Sequence, residues 1–290
     1  MVWYSLTIVS PEELVQYFKS ANYSWIALGL FFGILSHLSR AYRWKFLLEP
    51  LGYKPRFVNS TLAVLVAYLM NIFLPRAGEV TRAAVMSNYE NIPFEKGFGT
   101  IVAERLADLV MMLIIITITL FIQFDFIWGL LTKDFNPIKT ITSLLIVIGF
   151  FVAFILYIKK GKSKFALKVK GFFLGLKDGI LSIFKMKNKW AFIFHTVFIW
   201  VMYVAMCWAA IPAVDGLNVP IGGILIGFIA GGFSIAATNG GVGLYPVAVA
   251  GALALFGIDK VTGNAFGWIM WTAQTAMIIV FGGLAFLLLP

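Results

Sequence analysis

The chain has 290 residues, of which 61% are hydrophobic and only 12% are charged, and it carries a net charge of +10. Apolar runs of about 17–25 residues recur along it, which is the length that crosses a roughly 30 Å hydrocarbon layer. The composition excludes an ordinary soluble protein and predicts an all-α polytopic membrane protein with one domain over residues 1–290. We expect no cleaved signal peptide, because the first residues lack a basic start.

The apolar segments divide into spans and broken hairpins. Segment 58–74 is predicted to enter the membrane from the inside, break at Pro75–Gly78 and return as 79–90, since proline removes a backbone donor and glycine admits a sharp turn. If 58–74 crossed, the basic residues of 40–56 would lie outside, against the positive-inside rule. A second broken pair is predicted over 219–257. The five predicted full spans are 24–48, 101–122, 138–158, 190–211 and 264–289.

A basic linker follows the third predicted span. Ten lysines fall between Lys159 and Lys189, which predicts a cytoplasmic loop in a multi-pass protein of the inner membrane. This explains the net positive charge without nucleic acid, so we expect no nucleic-acid partner. Lys168 and Lys170 alternate with bulky apolar residues, which favours a helix lying on the inner leaflet in contact with anionic lipid.

The order of predicted elements is the same in two halves, 24–122 and 190–289. Each half reads span, broken hairpin, span, and the linker at 159–189 inverts the second half. The break at Asn71, Pro75 and Gly78 then corresponds to the glycine-rich run that begins at Asn239. Inverted repeats with paired broken helices are a transporter plan that places the substrate between the breaks.

Six charged residues lie in or beside the first hairpin, where burial in hydrocarbon costs at least about 2.5–3.5 kcal/mol each. Two interpretations stay open. The charges form an ion-pair network that pins the hairpin to the next helix, or they form a polar pocket in which an arginine binds a phosphate or carboxylate. The six residues are Arg76, Glu79, Arg82, Glu104, Arg105 and Asp108.

Two further groups complete the candidate site. Asn239, Gly240, Gly241 and Gly243 offer backbone donors before a helix N-terminus, which favours an anion, although small residues also serve close helix packing. With Asn71 they are predicted to form the two breaks.

The pair Arg40 and Arg43 ends the first span. Basic residues there are ordinarily interfacial anchors, and the alternative is contact with anionic lipid phosphates or with the acidic residues above.

No catalytic constellation emerges from the sequence, so we expect a protein that is not an enzyme. The single cysteine, Cys207, lies in an apolar run and excludes a disulfide within the chain. No metal ligand pattern and no nucleotide-binding motif is present, and no cofactor is expected. Glu104 and Asp108 remain the best acid and base if chemistry occurs, because they share one helix face.

Taken together, these residues resemble the flippase-like transmembrane domain of the lysylphosphatidylglycerol synthase family. Four motifs carry the resemblance over nearly the whole chain: Arg40-Ala-Tyr-Arg43-Trp44, Asn71…Pro75-Arg76-Ala-Gly78-Glu79…Arg82, Glu104-Arg105…Asp108 and Gly240-Gly241-Val-Gly243. In that family the domain moves aminoacylated phospholipid between leaflets for a fused synthase. The chain departs from the pattern in having no C-terminal transferase domain, and Leu244-Tyr245-Pro246 stands where many members carry an acid. Members also commonly begin with one more span.

The resemblance implies a lipid flippase for a phospholipid or a lipid-linked polar headgroup. Arg76 and Arg82 would bind phosphate, while Glu79, Glu104 and Asp108 would balance them. Two alternatives stay open: a secondary transporter of a small soluble anion, and a non-transporting scaffold for a protein partner in envelope synthesis.

Overall fold

A computed structural model describes residues 1–132 and 186–289 continuously and only isolated residues between them. These described residues form eleven α-helices, and no strand occurs among them. In chain order they are α1 (Val2–Ile8), α2 (Pro11–Ser20), α3 (Tyr23–Leu48), α4 (Phe57–Phe73), α5 (Ala77–Glu90), α6 (Phe94–Ile122), α7 (Phe124–Thr132), α8 (Lys189–Ala210), α9 (Ile221–Ala237), α10 (Leu244–Ala254) and α11 (Lys260–Leu288).

Four of the described helices are long and apolar enough to cross a membrane: α3, α6, α8 and α11. They confirm four of the five predicted spans and the prediction of an all-α polytopic membrane protein. The predicted span 138–158 and most of the basic linker lie outside the described residues.

The first broken segment is a helical hairpin of α4 and α5. Its arms have 17 and 14 residues, which is shorter than the roughly 20 residues that a full span needs. Glu90 at the end of α5 accepts hydrogen bonds from the backbone N–H of Arg56 and from Asn59 at the start of α4, so the two arms run antiparallel. The chain reverses at residues 74–76, within one residue of the predicted break.

The second broken segment is the hairpin of α9 and α10, with arms of 17 and 11 residues. Its turn runs through residues 238–243, where Gly240, Gly241 and Gly243 all have a positive φ. A left-handed backbone is costly for residues with a side chain, so glycine at these positions is the reason that the chain can turn here.

Residues 1–119 and 188–290 form one compact unit, and residues 120–187 form a second, of which α7 is the main described part. In the first unit α3 packs antiparallel to α8. The Asn22 N–H donates to the Ala213 carbonyl at one end, and Asn188 donates to Glu49 at the other. Gly29 permits this approach, because a Cβ there would lie 3.0 Å from the Met206 carbonyl oxygen.

The described helices repeat one order: a long helix, a two-helix hairpin and a long helix. This order occurs over α3–α6 and again over α8–α11. The antiparallel packing of α3 and α8, the first helix of each set, is what an inverted repeat requires. The symmetry between the halves at the level of residues stays a prediction.

Candidate functional site

The centre of the charged cluster is Glu104, which is fully buried on α6. Arg82, from α5 of the first hairpin, donates through both Nη atoms to the two carboxylate oxygens of Glu104, each at 3.1 Å. Arg40, from α3, donates its Nη1 to Glu104 Oε1 at 2.7 Å. Glu104 therefore ties the first hairpin and the first long helix to α6 at one point.

Asp108 lies one turn further along α6 and binds the two arginines of α3. The Nη1 atom of Arg40 donates to Asp108 Oδ2 at 2.6 Å, and the Nη2 atom of Arg43 donates to Asp108 Oδ1 at 3.0 Å. Arg43 also donates to Thr196 Oγ1 on α8 at 3.0 Å. The cluster thus joins both halves of the described fold.

Aromatic rings cover the buried arginines. The Arg82 guanidinium lies 3.8 Å from the centre of the Trp44 ring, and Arg43 lies 5.4 Å from the centre of the Phe192 ring. Trp44 donates its Nε1 hydrogen to Thr100 Oγ1 at 2.8 Å, which fixes the ring in place. A ring face attracts a cation by its quadrupole, so these contacts lower the cost of burying the arginines.

A second ion pair forms the partly open edge of the cluster. Arg105 Nη2 lies 3.2 Å from Glu79 Oε1, and the side chains are 42% and 25% exposed. Arg105 Nη1 also lies 3.6 Å from Asp108 Oδ2. Below this pair is a small cleft, lined in part by Tyr68 and Asn71 of α4, with a volume of about 10 Å³. That is room for about one water molecule.

The cluster contains more positive than negative groups. Four arginines (Arg40, Arg43, Arg82 and Arg105) face three carboxylates (Glu79, Glu104 and Asp108), which leaves one positive charge in their ordinary ionisation states. The buried Nε atoms of Arg40, Arg43 and Arg82 have no hydrogen-bond partner, and neither has Glu79 Oε2.

The depth of the cluster makes this surplus costly. Asp108 is the fifteenth of the 29 residues of α6, so it lies midway along a helix that is long and apolar enough to span a membrane. Charged side chains at that depth face a protein interior or a watery cavity and mark sites of transport or binding.

The tips of the two hairpins meet beside this cluster. Asn239, in the second turn, donates its Nδ2 hydrogen to the Ile72 carbonyl in the last turn of α4 at 2.8 Å. In the first tip, Asn71 Oδ1 accepts the Gly78 N–H at 2.8 Å, and Gly78 has no room for a side chain because a Cβ would lie 2.2 Å from the Ala67 carbonyl oxygen. The two predicted breaks are therefore in contact.

The sequence model of the family described as "Lysylphosphatidylglycerol synthase TM region" matches residues 1–283. The chain belongs to this family. It is therefore a multi-pass membrane protein of a family named for a lipid synthase, in agreement with the resemblance that its motifs show.

Partial similarity to two archaeal proteins accompanies the family match. Over 106 residues the chain is 30% identical to the UPF0104 membrane protein of Methanocaldococcus jannaschii, covering 36% of this chain and 32% of that protein. Over 102 residues it is 29% identical to glycosyltransferase AglD of Haloferax volcanii, covering 35% of this chain and 16% of that protein. The chain thus covers less than a third of either relative's own length. No solved structure matches it.

Of the six charged residues predicted for the site, the structure brings five together, as predicted: Glu79, Arg82, Glu104, Arg105 and Asp108. Arg40 and Arg43 are neither interfacial anchors nor placed for contact with anionic lipid, and the alternative, contact with the acidic residues, is what the structure shows. Both are buried and bind Glu104 and Asp108, because α3 continues past them to Leu48 and packs them against α6 and α8.

The remaining predicted site residues lie away from the charged cluster. Arg76 is exposed at the tip of the first hairpin. Gly240, Gly241 and Gly243 form the second turn, where the Gly241 N–H is bound by Thr238 Oγ1 and Gly243 packs against Val2. Lys170 is exposed, and Lys168 lies outside the described residues.

Two tyrosines of the site were missed by sequence reasoning. Tyr203 of α8 accepts a hydrogen bond from Arg40 Nη2 at 3.4 Å, and its hydroxyl lies 3.1 Å from that of Tyr68 on α4. Each is a single tyrosine within an apolar run, a position that usually indicates an interfacial ring. The buried arginine that binds Tyr203 is 163 residues away along the chain, so no local pattern connects them.

Proposed function

We propose that this protein translocates a phospholipid, or another lipid with a phosphate-linked polar headgroup, between the leaflets of the cytoplasmic membrane. The observation that carries the proposal is the surplus positive charge of the buried cluster. An anionic headgroup entering from the Glu79–Arg105 edge would neutralise that charge. The planar guanidinium binds phosphate oxygens in pairs, which suits arginine to this role better than lysine.

The positions of the side chains assign each a part in the proposal. Arg105 and Glu79, at the partly open edge, meet the headgroup first, and Arg82 lies deeper, with free Nε donor capacity. Arg76, exposed at the tip, attracts the phosphate electrostatically. Asn71 and Gly78 close the first tip, and Asn239 joins the two tips. The basic linker, which we expect to lie in the cytoplasm, adds contact with anionic lipid.

Movement of the hairpins is part of the proposal. The cleft holds about one water molecule, so the conformation described here is a closed one. A headgroup enters when the Glu79–Arg105 contact opens, because that pair is the least buried in the cluster. We expect transport without a chemical conversion, driven by the membrane potential, an ion gradient or the lipid gradient itself.

The membership of a family named for a lipid synthase favours a lipid over a soluble anion as the transported molecule. A soluble anion would use the same arginines, however, so the two substrates need separate arms in one experiment. The non-transporting scaffold predicts no movement of any headgroup. The interpretation of the charges as a purely structural ion-pair network requires only that they pair, and it is tested by exchanging the two members of a pair.

The experiment uses the purified protein in liposomes that contain fluorescent phospholipids with anionic, zwitterionic or cationic headgroups, with and without an imposed membrane potential. Headgroup accessibility reports movement between leaflets. Variants are Arg76→Ala, Arg105→Gln and the exchange Glu79→Arg with Arg105→Glu. The control is Glu95→Gln, which removes an exposed charge from the first turn of the same helix, α6.

We expect the wild type and the control to move anionic lipid faster than empty liposomes, and the other variants to lose this movement. Wild-type movement in the exchanged variant would show that pairing alone matters and would support the structural interpretation. Uptake of glycerol phosphate without lipid movement would assign the anion transporter. No movement of any headgroup, with or without potential, would overturn the proposal.

A further inference from the structure

A second cavity lies beside the charged cluster and differs from it in chemistry and size. It lies between α3, α4 and α11, has a volume of about 190 Å³ and presents almost entirely apolar surface. Six of its wall residues are aliphatic, aromatic or thioether side chains: Ile34, Leu38, Leu65, Met277, Ile278 and Phe281.

The cavity opens at the surface of the described fold, since Phe281 in its wall is 40% exposed, and it is too large to be a packing defect. Protein interiors contain few voids larger than a water molecule. An apolar cavity of about 150 Å³ in another protein stays free of water and binds benzene. A cavity of about 190 Å³ with apolar walls therefore suits a segment of hydrocarbon chain and is a poor place for water or a soluble anion.

One polar atom in the wall has no partner. His37 lines the cavity and is buried, and its Nδ1 atom makes no hydrogen bond. Its ring packs on Tyr68, with 4.3 Å between the ring centres. Buried polar atoms without a partner are rare in native proteins. This atom is buried beneath the apolar surface of the wall, so the wall offers hydrocarbon contacts to a ligand.

One side chain, that of Tyr68, lines both this cavity and the cleft of the charged cluster. Its hydroxyl lies 3.1 Å from that of Tyr203, which accepts a hydrogen bond from Arg40. From cluster to cavity the order is therefore buried arginines, two tyrosine hydroxyls and an apolar wall.

We propose that the apolar cavity binds a hydrocarbon tail of the lipid whose phosphate group the charged cluster takes. The oxygen-bearing linkage between headgroup and tail then lies beside Tyr68, the side chain that lines both the cleft and the cavity. This order of charge, oxygen and hydrocarbon matches an amphipathic lipid along its length. The inference rests on the function proposed above and narrows its substrate to a lipid that has a tail, because a soluble anion leaves the cavity unused.

The test is photo-crosslinking of the full chain in nanodiscs. The probe is phosphatidylglycerol with a diazirine in one acyl chain, and its ether-linked counterpart is the second probe. Ile278→Trp fills the cavity from α11. Ile279→Trp, the matched control, adds the same bulk to the next residue, which is 49% exposed and outside the cavity wall. Leu38→Phe fills the cavity from α3 and replaces Ile278→Trp if that variant does not give a monodisperse protein.

We expect cross-linked peptides from α4 and α11 at the cavity in the wild type and in Ile279→Trp, and their loss in the filled variant. Lipid movement in liposomes should be lost in the filled variant and retained in Ile279→Trp. Cross-linking of both probes shows that the tail site accepts ester-linked and ether-linked lipids, and loss of the ether probe confines it to ester-linked lipids.

Two results separate this inference from the function on which it rests. If the filled variant moves lipid at the wild-type rate, the tail site is overturned and the flippase proposal stands. If the wild type cross-links at the cavity but moves no lipid, the flippase proposal and the link between cavity and cluster both fail.

Discussion

The two helical hairpins have the same architecture but differ in their content of charged residues. Both consist of two short arms joined by a turn, and the two turns meet through the hydrogen bond from Asn239 to the Ile72 carbonyl. The first hairpin, 57–90, carries Arg76, Glu79, Arg82 and Glu90, whereas the second, 221–254, contains no acidic or basic residue. Within the described fold, apolar packing and neutral hydrogen bonds hold a hairpin of this kind without charged residues, so its build does not require the charges of the first.

The two turns also differ in the residues that adopt a left-handed backbone. The second turn uses Gly240, Gly241 and Gly243 at its positive φ values, whereas the first places Arg76 at φ 61. A left-handed conformation costs a residue with a Cβ about 1–2 kcal/mol, and such strain is concentrated at functional sites. The first tip thus contains backbone strain at Arg76, whereas the second turn uses glycine and has no such strain. This difference supports a role for the Arg76 side chain at that position.

The charged hairpin depends on Glu104 more than on any other described side chain, so Glu104→Gln has the largest expected effect. Glu104 contacts Arg40, Arg43 and Arg82, all buried. Removing one member of a buried charge network costs about 3–5 kcal/mol, because the remaining charges stay buried without compensation. We expect a large fall in thermal stability, measured by size-exclusion chromatography after heating. Glu95→Gln on the same helix is the control, and equal stability of the two variants would contradict the expectation.

The spans and hairpin breaks were predictable from sequence because their signals are local. The length of a span can be read directly from its run of apolar residues. The break is also visible in the sequence, because Pro75 and Gly78 interrupt such a run in the four residues 75–78. The pairing of charges was not predictable in the same way. Arg82 binds an acid 22 residues away, while Arg40 and Arg43 bind acids 64 and 65 residues away, so helix packing decides the partners.

Arg40 and Arg43 show why local rules fail at this site. Basic residues near the end of a span ordinarily reach the lipid interface. Here Trp44, between them and the helix end, turns inward to donate to Thr100 and to cover Arg82, and the same helix face carries both arginines inward. Only the partners on α6 and α8 reveal that this face is internal.

Close packing at the first tip gives the second prediction, Gly78→Ala. A Cβ on Gly78 would lie 2.2 Å from the Ala67 carbonyl oxygen and within 3 Å of Asn71, so the arms must separate. Overpacking of this kind costs about 1–3 kcal/mol. The control is Gly251→Ala in the second hairpin, where a Cβ meets nothing within 4 Å and helix propensity favours alanine. Thermal melting should separate the two variants, and a tolerated Gly78→Ala would show that the tip is looser than described.

The junction of the two tips gives a smaller effect. Asn239→Ala removes the hydrogen bond to the Ile72 carbonyl, for which we expect a loss of about 1 kcal/mol of stability. Asn218→Ala, at an exposed asparagine of the same half, is the matched control. A shift in melting temperature only for Asn239→Ala would confirm that the tips support each other. An equal shift for both would mean that this bond contributes little.

Arg76→Gly has the smallest expected effect on stability, and it tests the difference between the two hairpins most directly. Arg76→Gly gives the first turn the residue type that the second turn uses. Glycine relieves the cost of φ 61, partly offset by its greater freedom in the unfolded chain, so we expect a gain of less than about 1 kcal/mol. If the strain is retained for function, the same variant should lose lipid movement in liposomes while melting at or above the wild-type temperature. Stability and activity would then move in opposite directions at one residue. Wild-type lipid movement in Arg76→Gly would instead make the two tips equivalent and confine recognition to the buried cluster.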